Sequence, residues 1–146
     1  MSYATPTDMT AAFPNRDLVQ LTNEDPSVTT VDSNFIQTYL DKASSLIDSY
    51  IEARFTLPFA TDEAPAVLKD LCLDIAMYKM QALRPLHDLE DARKRYEDAI
   101  KTLEKVNQGK ITLGLSAQSE EPAIAQNVET IAGPERKFSR DKMRGW

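Results

Sequence analysis

Cysteine and histidine are nearly missing from this chain: 146 residues hold one of each, Cys72 and His87. A single cysteine cannot close an internal disulfide, and one histidine without cysteine partners excludes the usual structural zinc patterns. Glycine is equally scarce, and four residues at 109, 114, 133 and 145 cannot form a glycine-rich phosphate loop. The motifs GxSxG, HExxH and CxxC do not occur. No stretch approaches the roughly 18 to 20 uninterrupted apolar residues of a bilayer crossing, and residues 1–15 lack a basic start followed by an apolar run. Neither export nor membrane insertion is expected; assembly in the cytosol without metal or cofactor is.

Catalytic groups are as sparse. General acid–base work needs positioned groups with tuned proton affinity, most often histidine or paired carboxylates in a pocket. His87 lies beside Pro85 and Asp88 in a turn, where a capping or surface role outweighs catalysis. Asp62-Glu63 and Glu120-Glu121 read as solvated loop acids rather than metal ligands. The expectation is that the protein is not an enzyme.

What is present is enough for one core. Apolar residues make up 42% and charged residues 27%, which excludes a collagen-like or wholly disordered chain. Tyr3 to Thr22 reads as one or two short helical pieces, interrupted at Phe13-Pro14 because the residue before proline avoids the α region. Thr22 to Val31 is a polar loop turning at Asp25-Pro26-Ser27.

Asp32 then suits the N-cap of a helix reaching Arg54, in which Phe35, Ile36, Tyr39, Leu40, Ala43, Leu46, Ile47, Tyr50 and Ile51 recur every three or four residues. Phe55 to Phe59 is a packed extended connector. Ala64-Pro65 opens a third run through Leu83 whose apolar residues cover more than one face, so it is expected to be the central helix, with Cys72 a small core residue. Asp88 caps a fourth, strongly amphipathic helix over 89–107, with Glu90–Lys94 and Glu97–Lys101 at the favourable spacing. Gly109 stops it, and Lys110 to Leu115 alternates well enough for a short strand or extended segment. The fold class is therefore mainly α, a small bundle of about four helices with a short extended segment.

The division of charge is sharper than the net of -6 suggests. Residues 1–135 carry 12 Lys+Arg against 22 Asp+Glu, a net of -10, whereas residues 136–146 carry five against one, a net of +4. We read 1–115 as a helical body and 116–146 as an extended linker with a basic arm. The arm holds Arg136, Lys137, Phe138, Arg140, Lys142, Met143, Arg144 and Trp146. Aromatic and arginine side chains of this kind are typical interface hot spots. They could also stack bases or neutralise phosphates, but a body near -10 repels nucleic acid and anionic lipid alike. Docking on protein is the favoured reading, a nucleic-acid-binding or regulatory module using the basic tail is the alternative, and an inert solubilising tail comes last.

The order of these features resembles a known family. Tyr3-Ala4-Thr5, the run from Ala43 to Ile51 followed by Arg54-Phe55 and Leu57-Pro58, Asp74-Ile75-Ala76-Met77-Tyr78, Tyr96 to Ile100 with Leu103 and Gly109, and the closing Arg136 to Arg140 are similar to the Mu-like bacteriophage family of small helical head-tail connectors, also called adaptors or head-completion proteins. The resemblance implies a structural virion protein at the neck, assembled in the host cytoplasm. Such proteins form a homo-oligomeric ring, usually of twelve copies, beneath the portal, with DNA passing through the channel without sequence-specific binding. A carboxy-terminal segment docks on the portal, and the body presents a surface to the next neck or tail component. Carried onto this chain, Arg136 to Trp146 is the portal-docking arm, and no catalytic residue, cofactor or membrane contact is implied.

Overall fold

A computed structural model of the chain describes residues 2–59, 64–86 and 89–114. His87, the Asp88 cap, the Asp62-Glu63 and Glu120-Glu121 pairs, the linker and the whole basic arm lie outside the described residues. Within them there are five helices and no strand: α1 Pro6–Ala12, α2 Asn15–Thr22, α3 Ser33–Ile51, α4 Ala66–Leu83 and α5 Leu89–Asn107. The mainly α class holds, with the two short amino-terminal pieces formed as separate helices.

Local chemistry sets each boundary. Thr5 and Asp8 cap α1 reciprocally, the Thr5 hydroxyl accepting from the Asp8 backbone N–H while the Asp8 carboxylate accepts from the Thr5 N–H at 2.9 Å. Asp32 caps α3 by accepting from the backbone N–H groups of Asn34 and Phe35. That helix ends three residues earlier than its apolar spacing suggests, because the N–H groups of Arg54 and Phe55 both turn back onto the Ile51 carbonyl.

α4 packs against both α3 and α5 and is the most buried helix, with Leu68, Cys72, Ile75, Ala76 and Met80 fully enclosed. α3 supplies Ile36, Leu40, Ala43, Ile47 and Ile51 to the same core, and α5 supplies Ala99, Leu103 and Val106. Tyr78 of α4 and Tyr96 of α5 stack with ring centres 4.5 Å apart, an offset contact that adds to the apolar burial.

On α5 the ion pairs differ from those expected: Glu97 meets Arg93 at 3.7 Å and Lys101 meets Asp98 at 3.5 Å. All four side chains are exposed, so either pairing is worth little. Of the two readings of 110–115, a short strand or an extended segment, no strand forms over the described residues 110–114. Gly109 adopts φ +74°, and the N–H groups of Lys110 and Ile111 then both donate to the Lys105 carbonyl, which closes the helix end. The alternating Ile111 and Leu113 still lie against the core, as loop residues rather than as a ladder.

At Gly109 two constraints coincide. The left-handed φ disfavours any other residue, and a Cβ there would run into the tip of the flexible Arg54 side chain, whose guanidinium donates to the Asn107 carbonyl and would have to swing aside. Gly109→Ala is expected to destabilise the body by about 1–2 kcal/mol in urea denaturation. Combining it with Arg54→Ala should recover only the steric part; full recovery would show that the backbone conformation costs nothing.

Candidate functional site

The amino terminus is fastened to α3 by a signal that periodicity does not carry. The Tyr3 backbone N–H donates to Ser44 Oγ at 3.1 Å, and the Tyr3 hydroxyl donates to the Asp48 carboxylate in a short hydrogen bond. Burial and that bond to Asp48 raise the Tyr3 phenol well above its usual range, so it stays a neutral donor. Behind it, Cys72 Sγ sits 3.4 Å from Ser44 Oγ and is fully buried. Burial pushes the thiol up, which matches its reading as an inert core residue.

Asp8 ties α1 to α4 through a 3.0 Å ion pair with Lys69. Hydrogen bonds from Thr5 and from Lys69 hold its carboxyl at about 2, against an ordinary 3.8. A lowered folded-state value means that Asp8 contributes stability fully above pH 3.8 and loses it as pH falls through 2. Asp8→Ala is expected to cost about 1 kcal/mol at neutral pH and to flatten the acid limb between pH 4 and 2, checked by thermal denaturation across that range.

The candidate interaction site is a cleft of about 240 Å³ where α2, α4 and α5 converge. Its apolar wall includes Phe13, Pro14, Met77, Leu86 and Ala92, and its polar lining is Asp17, Asp74, Asp91, Gln81 and Arg95. Half-burial pushes the Asp74 carboxyl up, and Arg95 only partly offsets this. Gln81 Oε1 is buried without a hydrogen-bond partner, an acceptor that a fold does not ordinarily leave unmatched. Leu83 and Leu89, which flank the connection carrying Leu86, are 56% and 38% exposed.

Sequence reasoning missed this cleft because its acids come from three separated helices. The one available signal was the half-polar lining of an otherwise apolar α4, with Asp74 and Gln81 seven residues apart on one face. The predicted arm, Arg136, Lys137, Phe138, Arg140, Lys142, Met143, Arg144 and Trp146, lies outside the described residues. Among the described residues no group of three His, Cys, Asp or Glu side chains is placed to hold a metal ion, and no helix is long and apolar enough to cross a membrane.

Comparison with known proteins places the chain. The family described as Bacteriophage Mu, Gp36 matches residues 3–131. The Mu-like prophage FluMu protein gp36 of Haemophilus influenzae is 38% identical over 113 residues, 74% of this chain and 77% of its own length. Gene product J of Escherichia phage Mu is 28% identical over 146 residues, 100% of this chain and 99% of its own. The family match thus stops short of the basic arm, whereas the alignment with gene product J runs through it. This chain is a phage protein and belongs to the bacteriophage Mu Gp36 family.

Proposed function

We propose that this protein is a head-tail connector, a structural virion protein whose helical body forms a ring between the portal and the next neck or tail component. The reading assigns no catalytic step and no cofactor. The observation that carries it is the separation of charge, a body at -10 and a terminal arm at +4, in a chain of a phage family whose described part is a small helical bundle.

An acidic body and a basic arm on one chain call for complementary partners. The arm grips the portal through Met143 and Trp146 as apolar anchors and through its cations as electrostatic guides. Repetition around the ring makes such contacts avid even where each is weak. The acidic body repels the DNA backbone, which favours passage through the channel over adhesion to it.

The second reading, a nucleic-acid module, rests on the same arm and is separable by salt. The connector reading expects no measurable binding to duplex DNA at about 150 mM salt, together with rings on electron micrographs of assembling heads. Micromolar DNA binding with a steep salt dependence and no rings would favour the module.

A further inference from the structure

The cleft between α2, α4 and α5 is lined by a buried acceptor, Gln81 Oε1, that no described residue satisfies. We propose that it is the receptor for the basic arm of a second copy of this chain, which inserts Phe138 and Arg140 and so links neighbouring copies head to tail. The inference rests on the ring reading above and adds to it the contact that closes the ring.

Four observations support it. The lining carries Asp17 and the half-buried Asp74 beside Arg95, and residues 136–146 are a basic segment, net +4, in an otherwise acidic chain. The buried Gln81 Oε1 lacks a donor, and a guanidinium offers five in a fixed fork. A cation beside Asp74 would offset the desolvation of its carboxylate. The apolar half of the cleft, Phe13, Met77, Leu86 and Ala92, suits an aromatic ring. In an extended backbone Phe138 and Arg140, two residues apart, project to the same side, so one short insertion delivers both.

The cleft takes its α5 residues from the first two turns, Asp91, Ala92 and Arg95, whereas the chain leaves α5 at Asn107, roughly 20 Å away at 1.5 Å per residue. Arm and cleft are different parts of the chain, so a contact between copies made through them is heterologous, the type that builds rings where the rotation closes rather than stopping at a dimer. Residues 115–135 can span at most ~70 Å when straight, which is ample for a neighbour. Eleven arm residues can extend to ~35 Å, more than a cleft for one or two side chains occupies, and Arg144 and Trp146 remain for the portal.

The test uses two full-length variants, one with Asp17→Asn and Asp74→Asn in the cleft and one with Phe138→Ala and Arg140→Ala in the arm. A fluorescein-labelled peptide of residues 136–146 is titrated onto the arm variant. Saturable binding that weakens with added salt, and that falls at least about tenfold when the cleft is also substituted, is expected. Mixing the two variants should then give heterodimers by light scattering, since each pair retains one intact arm and one intact cleft, while each variant alone stays monomeric. No peptide binding, or binding indifferent to the cleft substitutions, overturns the proposal. Peptide binding with a mixture that stays monomeric also overturns it, because the occupant is then the chain's own arm. Because the peptide titration needs no ring, rings on micrographs beside a failed titration sink the cleft assignment alone, whereas a successful titration without rings sinks the connector reading.

Discussion

Deletion of Arg136 to Trp146 is expected to abolish attachment of the protein to the portal and to leave a folded helical body. The loss is expected to be complete rather than graded, because the deletion removes five cations and two aromatic anchors from every copy at once. In the ring reading every copy carries the same change, so the loss is repeated at each contact and multiplicity cannot rescue it. The body should survive because its core is assembled from residues between Tyr3 and Val106, with Ile111 and Leu113 packed against it. Co-sedimentation with portal-bearing heads measures the first effect, and helical circular dichroism with the thermal midpoint measures the second. Portal attachment that is unchanged by the deletion would defeat the assignment of the arm.

The largest loss of stability is expected at Ile75. It lies mid-way along α4, has no exposed surface and sits in the layer between α3 and α5. Truncation to alanine removes buried methyl groups and leaves a cavity that two flanking helices cannot both close, a change that costs about 2–5 kcal/mol. Small domains have only about 5–15 kcal/mol in total, so Ile75→Ala should lower the thermal midpoint by roughly 10–20 °C. Val67 on the same helix is 48% exposed, and Val67→Ala should stay within about 0.5 kcal/mol. Equal effects at the two positions would mean that α4 is not the central element.

Where one face of one helix carries the information, it was legible in residues alone. The Asp32 cap, the three-and-four spacing of α3, the all-round apolarity of α4 and the Gly109 stop each depend on neighbours within a turn or two. Departures come from contacts distant in sequence. The α3 end at Ile51 answers to a turn that lets Arg54 reach the Asn107 carbonyl, 53 residues away. The 110–115 stretch alternates like a strand, yet its first N–H groups are taken by Lys105, and no partner strand exists among the described residues to pair with the rest. Tyr3 is unremarkable by pattern and is nonetheless held by Ser44 and Asp48. The cleft is the extreme case, since Asp17, Asp74 and Asp91 become one site only when three helices meet. The arm was legible as a charge anomaly and lies outside the described residues.

Cryo-electron microscopy of intact particles, with the protein traced at the neck, tests the account most directly. A closed ring of this chain directly below the portal is predicted, with the last eleven residues of each copy buried against protein. Absence from the neck, or terminal residues exposed to solvent in the finished virion, would contradict it.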